Sequence, residues 1–346
     1  MTEGLYQGVV PGYLLARLAR SEKFPKAASA ARKTLLAGRP PFRARIDLSI
    51  DESGALVAEL TDAPNRTISD AGNTETLPGL IVREEEGEPV DDATVNEAFD
   101  GLGATFDMLL AAFSRNSLND AGAALDATVH YGTDYDNAFW DGARMVFGDG
   151  DGEVFAGFTR SLSVIGHELG HGVIQHTANL EYQGQPGALN ESIADVLGAL
   201  TEQFMLGQAA DEASWLIGEG IFTDAVQGRA LRSMRNPGTA YDDDELGKDP
   251  QPAHMRDFVT TTEDSGGVHI NSGIPNRAFA LAALALGGQA WERAGVAWYR
   301  ALTGPLSSTA NFTTFAEATI TAAATIDKAT QKAIREAWAE VGVLDA

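Results

Sequence analysis

The chain has 346 residues, 44% of them hydrophobic and 21% charged, which excludes a disordered protein and leaves room for two lobes around a cleft. It contains no cysteine, so disulfides and thiolate metal sites are excluded, and any metal must be held by His, Asp or Glu. A net charge of −24, with no apolar run near eighteen residues, argues against a nucleic-acid partner and against a membrane span.

That charge is uneven. Up to Ile46, nine Lys/Arg stand against two acids, a charge of +7, which leaves −31 on the remaining 300 residues. A basic arm of this kind is expected to dock on the acidic body, although Arg-rich, acid-poor starts also mark transit segments. No secretory signal is read, because GVVPGYLLARL is short, broken by Pro and Gly, and lacks a basic start. Residues 1–45 read as a short helix or two with loops, GRPPF (38–42) being a breaker. ARIDLSI (44–50) and ALVAEL (55–60) alternate as a hairpin around DESG. RTISDA and LIVRE continue the strand pattern, and EEEGEPVDD (84–92) is an acidic loop. Val95, Phe99, Leu102, Phe106, Leu109 and Leu110 recur at helical spacing and predict a helix over Ala93–Phe113.

DATVHYG (126–132) and RMVFGDGDGEVF (144–155) read as strands around a glycine-rich turn. GDGDGE is not a calcium loop: the twelfth position counted from Asp149 is Arg160, where such a loop needs a bidentate glutamate. From Leu162 the pattern is helical over 162–178, 188–206, 275–287, 289–302, 312–325 and 328–341. The expected class is therefore α+β, with a strand-rich first half, a helical second half, and VIGHELGHGVIQ (164–175) at the join, where clefts form.

In that stretch His167 and His171 share a helix face, so both imidazoles can aim at one point. Glu168 is displaced around the helix and can reach a water at the metal without binding the metal, which is the logic of H-E-x-x-H. A catalytic zinc takes three protein ligands, and ALNESIADVLGAL (188–200) offers the third as Glu191. Asp195, one turn on, can accept the free N–H of a ligating histidine and set its tautomer. H-E-x-x-H alone arises by chance in about one chain in a hundred. N-E-x-x-x-D on a second helix is what separates this pattern from an amphipathic helix carrying two histidines. His130, His176 and His254 read as surface or core histidines.

HELGH, NESIAD and SGGVHINSG (265–273), with NAFWDG, GDGDG and LRSM, resemble the thermolysin family of zinc metallopeptidases from about Arg66 to the C-terminus. The resemblance implies a two-lobe fold and a zinc endopeptidase with His167, His171 and Glu191 as ligands, Glu168 as the base and Asp195 behind the ligands. His269 and Tyr182 match the family's oxyanion donors, with Asp264 supporting His269. Arg232, Asn137 and Ala138 would hold the extended substrate. Phe155, Phe158, Val164, Ile217, Ile221 and Leu231 would form an apolar pocket for a bulky residue just after the cleaved bond. Family calcium carboxylates are mostly replaced by Ser163, Ser214, Leu216, Gly220 and Arg229, with Glu202 and Glu219 kept, so calcium sites are expected to be weak or absent.

GVVPGYLLARL resembles the start of the prosegment in protealysin-like members, although Pro11-Gly12-Tyr13 stands where Pro-Pro-hydrophobic is usual. The implied organisation is a basic inhibitory prosegment (1–60), a strand-rich lobe with the zinc helix (61–185) and a helical lobe (186–346). Expected partners are protein or peptide substrates and the chain's own prosegment, with no nucleic acid and no membrane. Release by a non-classical route or by lysis is expected, with a cytoplasmic location as the alternative. A dead scaffold retaining zinc would be expected to have lost one of these groups. A zinc aminopeptidase would need a GxMEN-type strand, which the sequence does not contain.

Overall fold

The computed structural model describes residues 8–37 and 62–345. The hairpin expected over 44–60 lies outside them. The chain opens with helices α1 (Gly12–Leu18) and α2 (Pro25–Ala37). Next come β1 (Arg66–Asp70), β2 (Leu80–Glu84), the long helix α3 (Ala93–Phe113), β3 (Leu125–Val129), β4 (Ala138–Trp140) and β5 (Met145–Phe147). The five strands form one mixed sheet in the order β2-β1-β3-β5-β4, parallel at β1/β3 and β3/β5 and antiparallel at both edges. Every residue of β3, β4 and β5 is buried, as expected for the parallel pair β3/β5 covered on both faces.

α3 starts where the Asp92 carboxylate accepts the Thr94 N–H (2.9 Å), an N-cap that satisfies one of the helix's orphan donors. It ends at Ser114, whose φ of 54° breaks the helix in the left-handed region. Two strand readings differ from what is observed. β4 was not anticipated, because three residues are too few to show an alternation. The return limb to Phe155 is a turn and not a strand. There the Asp151 carboxylate accepts the N–H groups of Glu153 (2.6 Å), Val154 (2.7 Å) and Phe155 (3.3 Å), which curls the backbone away from a ladder.

The helices α4 (Leu162–Gln175) and α5 (Gly184–Leu206) form the join. They meet along a seam of small residues. A Cβ on Gly166 or Gly170 would lie 2.9 Å from the Cα of Gly198 or Ala194, and one on Gly198 would lie 2.3 Å from the Ser163 carbonyl. Glycine inside a helix costs about 0.5–1 kcal/mol against alanine, a cost offset here by backbone contact that larger residues would forbid. α5 begins four residues before its predicted start, since Pro186 falls in the first turn, where proline is tolerated.

A short ribbon of β6 (Leu216–Ile217) and β7 (Arg232–Ser233) leads into α6 (Asp264–Asn271), α7 (Gly273–Leu286), α8 (Val296–Thr303), α9 (Phe312–Ala324) and α10 (Lys328–Glu340). Trp298 stacks on Trp338 at 5.6 Å in the middle of this lobe. α8 is preceded by a π-helical turn at Trp291–Gly295, so the helix expected over 289–302 is two pieces. α6 was not expected, because Ser265, Gly266 and Gly267 have φ of 51°, 84° and 77° and interrupt the helical period.

The basic arm lies on the acidic body. Leu14, Leu15, Leu18, Ala27 and Ala31 join the main apolar core. Lys26 and Ala27, at the start of α2, donate their N–H groups to the Glu153 carboxylate (2.9 and 3.0 Å), the favourable pairing of an anion with a helix N-terminus. Arg17 reaches the carbonyls of Glu245 and Asp244 (both 2.9 Å), and Lys26 pairs with Asp134 (3.2 Å).

Candidate active site

α4 carries His167, Glu168 and His171, and the glycine seam brings Glu191 of α5 opposite them. His167 Nε2 is 3.2 Å from His171 Nε2, and Glu191 oxygens lie 3.5 and 3.6 Å from these two nitrogens. Two ligands each about 2.0–2.1 Å from a single tetrahedral ion stand about 3.3–3.4 Å apart. The three side chains fit a zinc-sized cation. The far nitrogens are also engaged, His167 Nδ1 by Asp195 (2.7 Å) and His171 Nδ1 by Asn190 Oδ1 (2.8 Å), so both Nε2 atoms are free to face the common point. Among the described residues these three are the group able to hold a metal.

Asp195 is a hub. Its carboxylate also accepts Arg232 Nε (2.9 Å), Arg232 Nη2 (2.8 Å) and Asn276 Nδ2 (2.8 Å), all buried. Although burial opposes its charge, Arg232 and His167 hold Asp195 well below the usual carboxylate range. A buried ion is stable only when paired and hydrogen-bonded in this way.

Glu168 is fully buried. One oxygen accepts the Trp140 N–H (2.8 Å), and the other has no hydrogen-bond partner among the described residues. Burial, with Glu191 adding to it, pushes Glu168 up to about 7 against the pull of His167, which places it where a carboxylate can take and return a proton near neutrality.

On the far wall, Tyr182 donates its hydroxyl to Glu191 and lies 3.3 Å from His269 Nε2, which is itself 3.5 Å from Glu191. Asp264 accepts from His269 Nδ1 (2.6 Å) and from its backbone N–H (2.9 Å). Burial works against a charged His269, but Glu191 and Asp264 carry it up to about 9. Asp264 can reach back to His269 because the left-handed run 264–267 coils the chain tightly between them.

A cavity of about 330 Å³, lined by Glu168, His171, Tyr182 and Trp140, opens beside this cluster. The expected pocket residues Phe155, Phe158, Val164, Ile217, Ile221 and Leu231 are all buried, the Phe155 and Phe158 rings 5.7 Å apart. Asn137, Ala138 and Arg232 already hold a peptide, the chain's own. The Ala138 carbonyl accepts the Val9 N–H (3.1 Å), Asn137 accepts the Val10 N–H (2.9 Å) and donates to its carbonyl (3.3 Å), and Arg232 Nη1 donates to the Val9 carbonyl (2.9 Å).

Three contributors escaped sequence reasoning. Asn190 stands beside Glu191 in NESIAD, and its adjacency to a ligand was the available signal. Asn276 was signalled only as a lone amide on an apolar helix. The Trp140 N–H is a backbone group and leaves no mark in a sequence.

Family models agree with this geometry. Residues 47–175 match the model described as thermolysin metallopeptidase, catalytic domain, and residues 178–343 match the thermolysin metallopeptidase, alpha-helical domain. The chain is 51% identical over 282 residues to an extracellular metalloprotease of Pectobacterium carotovorum subsp. carotovorum, covering 81% of each. It is 40% identical over 286 residues to bacillolysin of Bacillus cereus, covering 79% of this chain and 48% of that one. Among solved structures, the precursor of protealysin, a metalloproteinase from Serratia proteamaculans, superposes with a TM-score of 0.89 at 47% identity, over 98% of this chain and 100% of the other.

Proposed function

Since this chain belongs to the thermolysin family of metallopeptidases and is a metalloendopeptidase of that family, we propose that zinc held by His167, His171 and Glu191 and a base, Glu168, cut internal bonds of protein substrates. The observation that carries this reading is the convergence of three ligand atoms, at tetrahedral spacing, beside a buried carboxylate with one oxygen unpartnered among the described residues. Zinc, when bound, supplies a Lewis acid for a carbonyl and a water.

The chain's residues do the rest. Glu168, oriented by the Trp140 N–H, takes a proton from the attacking water and delivers it to the leaving nitrogen. Tyr182 and His269 donate to the developing oxyanion, and Asp264 keeps His269 oriented and charged. Asp195 and Asn190 hold the two ligand imidazoles, and Asp195 also anchors Arg232. Asn137, Ala138 and Arg232 bind the extended chain, and Phe155, Phe158, Val164 and Leu231 receive a bulky apolar residue just after the cleaved bond. That division favours cleavage on the amino side of hydrophobic residues, since burying such a side chain is worth about 1.5–3 kcal/mol.

Residues 1–60 act as an inhibitory prosegment, 61–185 as the strand-rich lobe and 186–346 as the helical lobe. The seating of Val9 and Val10 on substrate-binding groups supports inhibition, as does the likeness to a structure titled a precursor. Zinc without structural calcium is supported by the Arg229–Glu219 pair (3.6 Å) and by the Ser161–Ser163 hydroxyl contact (3.1 Å) where carboxylates would be needed. Action outside the cell is supported by the relatives named extracellular. Among the described residues no helix is long and apolar enough to cross a membrane.

The test is a peptide blocked at both ends with one internal Gly–Leu bond. After limited trypsin treatment to remove the arm, metal-depleted protein should leave it intact and added zinc should restore cleavage at that bond. Cleavage that persists without metal, or that requires a free amino end, contradicts the reading.

A further inference from the structure

β4 is an edge strand of the sheet, and Gly8–Val10 extends that edge. Val9 donates to the Ala138 carbonyl at the start of β4 and Val10 to the side chain of Asn137 just before it, so as numbering rises along the arm it falls along this segment. The two segments run antiparallel, a strand-addition mode of recognition. That polarity decides what faces the metal ligands. Gly8 continues toward Trp140, whose N–H holds Glu168, and Gly8 lines the cavity with Glu168, His171 and Tyr182. Val9 is held on three sides: its N–H by Ala138, its carbonyl by Arg232, and its side chain, fully buried, in the apolar cluster that includes Val164 and Leu231. The peptide group joining Gly8 to Val9 thus lies between an anchored residue and the cluster of Glu168 and His171. Position 8 has no room for a side chain, since a Cβ there would stand 2.5 Å from Asn137 Nδ2 and 2.8 Å from the Ala138 carbonyl.

We propose that the arm is presented as a substrate, that Gly8–Val9 is hydrolysed within the same molecule, and that the shortened chain beginning at Val9 stays blocked. This rests on the endopeptidase reading above. One water is consumed: its oxygen bonds to the Gly8 carbonyl carbon, the C–N bond breaks, and a proton passes to the Val9 nitrogen. The products are a Gly8 carboxylate and a Val9 amine. Cutting here does not free the arm, because its other anchors lie downstream. Those are the Val9 carbonyl on Arg232, Arg17 on the 244–245 carbonyls, and the start of α2 on Glu153.

The test uses the full-length, zinc-loaded chain, followed by intact mass and N-terminal sequencing at several dilutions, with a short internally cleavable peptide in a parallel aliquot freed of its arm by limited trypsin treatment. Loss of residues 1–8, a new Val-Val-Pro start and a rate constant independent of dilution are expected. Glu168→Gln should slow that loss by at least about a hundredfold. In the metal-free chain, where the bond stays closed, the Val9 and Val10 amides should exchange slowly with solvent. Peptide cleavage with Gly8–Val9 intact overturns the inference and leaves the endopeptidase reading standing. A rate that rises with concentration, equal loss in Glu168→Gln, or freely exchanging Val9 and Val10 amides overturns it as well. If neither the peptide nor Gly8–Val9 is cut, the endopeptidase reading falls with it.

Discussion

Replacing Asp195 by Asn separates a metal-positioning role from simple packing. The substitution keeps size and removes charge. Its carboxylate accepts four contacts, one from His167, two from Arg232 and one from Asn276. An amide has one acceptor oxygen, so its NH₂ must face at least one of these donors. Loss of the partner behind a ligating histidine typically weakens metal binding by about 10–100-fold, which is about 1.4–2.7 kcal/mol. Arg232, buried beside it, loses its counter-ion, a cost of about 3–5 kcal/mol, or about 6–10 °C in melting temperature at about 2 °C per kcal/mol. Zinc competition against a fluorescent chelator reads the first effect and thermal unfolding of the metal-free protein reads the second. Zinc affinity within about twofold of wild type would refute the orienting role, whatever the melting temperature does.

Other expectations follow from the same contacts. Gly198→Ala places a methyl 2.3 Å from the Ser163 carbonyl, so α4 and α5 must separate and Glu191 recede from the histidines. A loss of about 1–3 kcal/mol in stability, with weaker zinc binding, is expected by calorimetry. His130 is raised to about 9, chiefly by its hydrogen bond to Asp149 with Asp92 adding, against burial. Its folded value exceeds its ordinary 6.5, so its contribution is complete below pH 6.5 and is lost as pH rises through about 9. Both carboxylates are partly exposed, which screens the effect. His130→Gln should flatten the stability profile across that window in pH-dependent urea titrations. Glu153→Ala removes the anion at the start of α2, costing about 0.5–2 kcal/mol, and should raise peptide hydrolysis by the full-length chain about 2- to 30-fold.

How much of this was legible depends on where the information sits. The histidines and Glu168 fall within five residues of one helix, and Glu191 and Asp195 fall one turn apart on the next, so local spacing was enough to group them. The seam that brings α4 to α5 was visible only as glycines at 166, 170 and 198 and was not read, because close approach is a property of two helices at once. α6 was hidden because its left-handed residues break the helical period that reveals other helices. The sheet order was out of reach, since the β1/β3 pairing joins segments separated by all of α3. Charge asymmetry pointed to a docked arm. That Val9 and Val10 enter the cleft depends on the free edge of β4, a strand too short to be recognised.

The central claim is that zinc and Glu168 are separable halves of one hydrolytic device. It is tested most directly by zinc content and peptide hydrolysis on wild type and Glu168→Gln after limited trypsin treatment to remove the arm. One zinc per chain in both, with hydrolysis about 10²–10⁴-fold lower in the variant, is the predicted result. A variant that binds zinc equally and hydrolyses peptide within about tenfold of wild type would contradict the assignment of Glu168 as the base.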